Sequence, residues 1–150
     1  MNEKYAPILV VDDEPEMCWI LDNIIRRTGF TCMTALNAGE AMALAKSHLF
    51  GMAFLDAKLP DIDGLDLARN LRKINARLSI VVVSGYFYRD DLTIEGVLKE
   101  GLIDAFVGKP FDHDEIVSII THFARRSGKL SRHRRNGFHS SDSLTPFESV

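Results

Sequence analysis

No apolar run in this chain approaches the ~20 residues of a membrane span, and the start, Met1-Asn2-Glu3-Lys4, leads into a short strand-like run with acids close behind it rather than a long signal segment. There are only two cysteines, Cys18 and Cys32. They lack CxxC or Cys/His ligand spacing, and a domain of this size does not depend on a disulfide, so they read as reduced packing residues. The five histidines show neither HExxH nor any paired ligand spacing. Neither GxxxxGK[ST] nor GxGxxG is present, which disfavours a nucleotide binder. A soluble cytoplasmic protein without a zinc centre is the expectation.

The 150 residues suit one globular unit, and 46% hydrophobic residues is enough to build a core. Charge is unevenly spread. Of the net −3, the stretch from Arg125 onward supplies +4 through six Lys/Arg and two Asp/Glu, leaving −7 on residues 1–124. An acidic body repels nucleic acid and suits a cation site; the basic stretch reads as a solvated tail in preference to a nucleic-acid arm.

Four apolar runs each end in a polar residue of a different kind. Ile8-Leu9-Val10-Val11 runs into Asp12-Asp13, Met52-Ala53-Phe54-Leu55 into Asp56, Ile80-Val81-Val82-Val83 into Ser84, and Ala105-Phe106-Val107-Gly108 into Lys109-Pro110. If these are buried parallel strands, their carboxyl ends share one edge of a sheet, where open α/β sheets bind ligands. Acids, a hydroxyl and an amine then meet in one crevice.

Between the runs lie helical patterns, so the chain reads as βαβ units around a parallel sheet. After Asp13, Pro15 suits a first helical turn, Met17, Ile20, Leu21, Ile24 and Ile25 recur at three- and four-residue spacing, and Gly29 sits where a C-terminal cap belongs. Thr31 to Ala35 reads as strand two. Asn37 with Glu40 resembles a capping box opening a helix to about His48. Leu59-Pro60-Asp61-Ile62-Asp63-Gly64 is a loop, and Leu65, Ala68 and Leu71 mark a third helix. A fourth runs from about Asp90 to Glu100, stopping at Gly101, and Ile116, Ile119, Ile120 and Phe123 give a fifth. Ser127 to Val150 has no periodicity and is expected to be a flexible tail after a folded unit of residues 1–126.

Each singled-out residue has a plainer reading. Asp12 and Asp13 could merely cap the helix near Pro15; Ser84 could open a loop, Lys109-Pro110 could be an exposed turn, and Tyr86-Phe87-Tyr88 could pack a loop or meet a partner. Asp56 resists dismissal, because an acid directly after Met-Ala-Phe-Leu is costly to bury unpaired. With Asp12 and Asp13 it forms a hard oxygen cluster suited to Mg2+. Lys109 adds positive charge, and the Ser84 hydroxyl can donate to a phosphoryl oxygen.

Asp12-Asp13, Asp56, Ser84 and Lys109-Pro110, on strands one, three, four and five of a (βα)5 pattern, resemble the receiver domain of two-component response regulators, over about Ala6 to Arg126. The resemblance implies a doubly wound, flavodoxin-like five-stranded parallel sheet of order 2-1-3-4-5. It implies Asp56 as phosphoacceptor from a histidine kinase or phosphotransfer protein. Mg2+ would be held by Asp12, Asp13, Asp56 and the Lys58 carbonyl. Ser84 and Phe106 would act as switch residues, read out on the face of helix four, strand five and helix five, which is also a possible homodimer surface. Because Phe106 has no hydroxyl, a switch needing a tyrosine hydrogen bond is excluded. Lys58 and Tyr86, two positions beyond Asp56 and Ser84, are large, so slow loss of phosphate is expected. No output module is expected after Arg126, so the chain either signals by contact alone or is a fragment. The rival readings are a non-phosphorylated pseudo-receiver serving as an interaction module and a haloacid-dehalogenase-type phosphatase. The latter needs Asp-x-Asp after its first strand, whereas the acids here are adjacent.

Overall fold

The computed structural model describes residues 5–85 and 91–124. Five strands, β1 (Ile8–Val11), β2 (Cys32–Ala35), β3 (Met52–Asp56), β4 (Ser79–Ser84) and β5 (Ala105–Gly108), form one parallel sheet in the order β2-β1-β3-β4-β5. Every residue of β1, β3 and β4 is buried. That explains why their sequences are continuous rather than alternating apolar runs: helices cover both faces, so no position can be polar without a partner.

The helices are α1 (Pro15–Arg27), α2 (Ala38–Ser47), α3 (Gly64–Ile74), α4 (Asp91–Lys99) and α5 (His113–Ile119). On one face, Cys18, Leu21, Ile24 and Ile25 of α1 and Ile116 and Ile119 of α5 pack with Ile8, Val10, Phe54, Val81 and Val107. The other face joins Ala41 of α2, Leu67, Ala68 and Leu71 of α3, and Val97 of α4 to Leu9, Leu55, Ile80 and Val82. Alternate strand residues therefore feed two separate cores, each fully buried large side chain contributing roughly 1.5–3 kcal/mol.

Helix ends follow the expected chemistry with instructive differences. Pro15 opens α1, Glu16 lies in its first turn and Arg26 and Arg27 in its last, an arrangement that complements the helix dipole. Gly29 and Gly101 adopt φ of +97° and +79°, a region that favours glycine. Asn37 caps α2 by accepting from the Glu40 N–H at 2.8 Å, yet Glu40 reaches back to the N–H of Leu36, one residue before the cap. Strand two begins at Cys32 rather than Thr31. The fifth helix changes at Ile120–Ala124 to a π-helical turn, and Ile116, Ile119, Ile120 and Phe123 are all buried along it. The fourth helix starts at Asp91; Asp90, the Tyr86-Phe87-Tyr88 group, the boundary at residue 126 and the segment 127–150 lie outside the described residues.

No helix among the described residues is long and apolar enough to cross a membrane.

Candidate functional site

Strand β1 has β2 on one side and β3 on the other, so the connections leaving β1 and β3 run to opposite faces and open a crevice at their carboxyl ends. Asp12 follows β1 directly and Asp56 is the last residue of β3. The two acids stand at the switch point because the strand register, Val11 opposite Leu55, makes the neighbouring strands end together.

Asp12, Asp13 and Asp56 each offer a carboxylate oxygen, all within 4.8 Å of one another. Asp12 and Asp56 are buried and Asp13 is exposed, so the cluster has a closed floor and an open rim. Lys109, just beyond β5, reaches across with its Nζ 3.0 Å from Asp12 Oδ2 and 3.8 Å from Asp56 Oδ1. The second Asp12 oxygen accepts the Glu14 N–H at 2.9 Å. The capping alternative for the acids is thereby narrowed. Glu14, with no side-chain cap, is the residue at the α1 N-terminus, and Asp12 makes an Asx-type turn ahead of it while its other oxygen faces lysine.

Electrostatics follow from this crowding. Burial, followed by the charge of Asp12, pushes the Asp56 carboxyl up to about 6; Lys109 and the hydrogen bond from the Lys58 backbone N–H work against the rise but do not cancel it. Burial opposes the Lys109 ammonium, but its hydrogen bond to Asp12 and the charges of Asp12 and Asp56 outweigh that effect and hold its pKa above the usual lysine value. The site thus has one ammonium for three acids. A hard cation placed among these oxygens would relieve the surplus negative charge, and an all-carboxylate donor set fits a divalent ion of the Mg2+ type.

Of the remaining candidates, Ser84 and Lys58 join this centre through backbone hydrogen bonds, to Lys109 and Asp56 respectively. Ser84 ends β4, buried, with its carbonyl accepting the Lys109 N–H at 3.0 Å. Its register partner is Gly108, and the residue before it, Val83, is opposite Asp56. Phe106 is half-buried and packs on the core shared by α2, α3 and α4. Ser84 and Phe106 both fall, by strand alternation, on the face that carries Val82 and α4. Lys58 is exposed at the start of the loop after β3 and is paired with Asp63 in an isolated antiparallel bridge. Tyr86 lies outside the described residues. Cys18 and Cys32 are buried free thiols whose pKa values burial pushes up, to about 11 for Cys18, in keeping with a packing role.

Two residues gain roles that their sequence positions did not announce. A Cβ on Gly64 would collide with the Asp56 carbonyl oxygen and lie 2.8 Å from Ala57 Cα, so only glycine lets α3 begin against the end of β3. An Asp-Gly pair at a helix start is the one signal that could have pointed there. Asp61 bonds a helix more than twenty residues upstream, for which local sequence carries no signal.

The chain matches the family described as response regulator receiver domain over residues 8–121. It is 33% identical over 121 residues to the probable transcriptional regulatory protein TcrX of Mycobacterium tuberculosis, covering 81% of this chain and 50% of TcrX. It is 28% identical over 116 residues to sporulation initiation phosphotransferase F of Bacillus subtilis, covering 77% of this chain and 89% of that protein. Among solved structures, response regulator TrrA of Thermotoga maritima in complex with Mg2+ and BeF superposes with a TM-score of 0.68 at 31% identity, over 79% of this chain and 98% of that one. The chain spans about half the length of TcrX.

Proposed function

This chain belongs to the response regulator receiver domain family and is a signalling domain of the two-component type, and from that premise we propose that Asp56 is its phosphoacceptor, served by Mg2+ and Lys109. The observation that carries the proposal is the gathering of three carboxylate oxygens within 4.8 Å, with the Lys109 ammonium 3.0 Å and 3.8 Å from two of the acids.

A carboxylate attacks a phosphorus centre poorly while both partners carry negative charge. Asp12, Asp13, Asp56 and the Lys58 carbonyl would hold Mg2+, which when bound supplies the charge neutralisation that lets carboxylate and phosphoryl group approach. The Asp56 carboxylate forms the new O–P bond as the P–N bond of a donor phosphohistidine breaks, and the leaving imidazole retains the electron pair and takes up a proton. Lys109 stabilises the charge on the transferred phosphoryl oxygens, and the Ser84 hydroxyl donates to one of them. Because Ser84 and Phe106 share a face of the sheet, a shift of the hydroxyl toward the phosphoryl group opens room into which Phe106 rotates. That changes the surface made by α4, β5 and α5, where a downstream protein or a second copy would bind.

The donor is a histidine kinase or a phosphotransfer protein; the phosphotransferase name of the B. subtilis relative and the Mg2+ and BeF of the T. maritima complex support this direction. Incubation with Mg2+ and acetyl phosphate tests it by mass spectrometry. One added phosphoryl group per chain supports the reading. Steady turnover of an added phosphoester such as p-nitrophenyl phosphate, without an adduct, points to a phosphatase, and a chain that shows neither adduct nor turnover is an interaction module that works without phosphorylation.

A further inference from the structure

The loop that follows Asp56 is tied down repeatedly. The Lys58 N–H bonds the Asp56 carboxylate, Lys58 pairs with Asp63, and the Gly64 N–H donates to the Ala57 carbonyl at 2.8 Å. One further tie leaves the loop altogether. Asp61 Oδ1 accepts the Ala38 N–H and Oδ2 the Gly39 N–H, each at 2.9 Å. These are the first two residues of α2, whose N–H groups have no partner within the helix. Since Asn37 already takes the Glu40 N–H, the start of α2 has its own cap without Asp61. What the two-pronged bond fixes is the position and direction of the loop relative to α2. The Ala38 N–H, foremost among several backbone donors, holds the Asp61 carboxyl below the usual carboxylate range, so both oxygens remain acceptors.

We propose that Asp61 is a positioning residue for the cation site: by clamping the loop to α2 it holds the Lys58 backbone where its N–H meets Asp56 and its carbonyl completes the ligand set. This rests on the metal reading given above. Only Leu59 and Pro60 separate Lys58 from Asp61. Pro60 has a fixed φ, and Leu59 and Ile62 on either side pack into the core beneath α2 and α3. A displacement of Asp61 is therefore passed to Lys58 rather than absorbed. Groups that orient metal ligands without touching the metal typically change affinity by about 10–100-fold when removed.

The test compares the wild-type chain with Asp61→Ala, Asp61→Asn and Asn37→Ala, measuring Mg2+ affinity by calorimetry and stability by thermal melting. Asp61→Ala and Asn37→Ala each remove an acceptor from the same helix end, so both lower Tm. Only Asp61→Ala is expected to weaken Mg2+ binding, by about tenfold, with Asp61→Asn, which keeps one acceptor oxygen, in between. Unchanged Mg2+ affinity in Asp61→Ala, or an equal loss in Asn37→Ala, would overturn the inference and leave Asp61 as a second cap. Failure of the wild-type chain itself to bind Mg2+ would instead overturn the metal reading, and this inference with it.

Discussion

Lys109 and Asp12, 97 residues apart in the chain, meet at 3.0 Å at the carboxyl edge of the sheet, and the same ammonium lies 3.8 Å from Asp56. This pair joins the last strand to the first and supplies the only basic side chain seen among the three acids of the described site. Replacing Lys109 by Ala leaves Asp12 and Asp56 buried without their cation. Complete removal of one partner from a buried pair costs about 3–5 kcal/mol; because Lys109 is partly open to solvent, a loss of about 1–2 kcal/mol is expected in urea denaturation without divalent ions. Saturating Mg2+ should recover more stability in this variant than in the wild type. Phosphorylation by acetyl phosphate should fall about a hundredfold.

Asp56→Asn separates chemistry from stability. The variant should accept no phosphoryl group and yet be more stable than the wild type at neutral pH in the absence of Mg2+. The folded-state pKa of Asp56, pushed up to about 6, lies above its ordinary value, so the native state binds this proton more tightly than the unfolded chain does. The favourable contribution is complete below pH ~4 and is lost as pH rises through about 6. The stability difference between variant and wild type should therefore grow between about pH 4 and pH 7 and level off at about 3 kcal/mol, as read from denaturation curves across that range. A difference independent of pH would contradict the crowding argument.

Gly64→Ala tests the seating of α3 under the phosphoacceptor strand. The new methyl would press on the Asp56 carbonyl oxygen and on Ala57 Cα, both backbone atoms that cannot swing aside. Overpacking of this kind should cost about 3 kcal/mol, or shift the loop outward with a matching loss of Mg2+ affinity. Thermal melting and Mg2+ titration on the same sample check both.

Much of this arrangement was legible because a buried parallel sheet writes itself as continuous apolar runs, and a polar residue at the end of such a run must have a partner. Ile8 to Val11 ending at Asp12, and Met52 to Leu55 ending at Asp56, carried both the strands and the acids. Gly29 and Gly101 marked helix ends through their need for positive φ. The π-helical turn at Ile120–Ala124 was not legible, because its apolar spacing also serves an ordinary helix. Nor was the reach of Glu40 to the Leu36 N–H, which depends on how β2 enters the turn, nor the Asp61 bond to α2, which joins segments brought together only by the sheet order.

Phe106→Ala probes the proposed readout. The ring is half-buried in the core that includes Val97 and Ile103, so its removal should cost about 1–3 kcal/mol, below the 3–5 kcal/mol of a fully buried phenylalanine. Mg2+ and beryllofluoride should shift the methyl resonances of Val97 and Ile103 in the wild type and shift them much less in the variant, while phosphorylation of Asp56 persists in both. Equal shifts in the two proteins would remove Phe106 from the switch.

The most direct measurement maps the phosphoryl group to its residue: incubate the chain with acetyl phosphate and Mg2+, reduce with borohydride, and sequence the peptides by mass spectrometry. Reduction is expected at Asp56 alone, lost when Mg2+ is chelated and absent in Asp56→Asn. Labelling at another residue, or labelling of Asp56 that persists undiminished without a divalent cation, would contradict it.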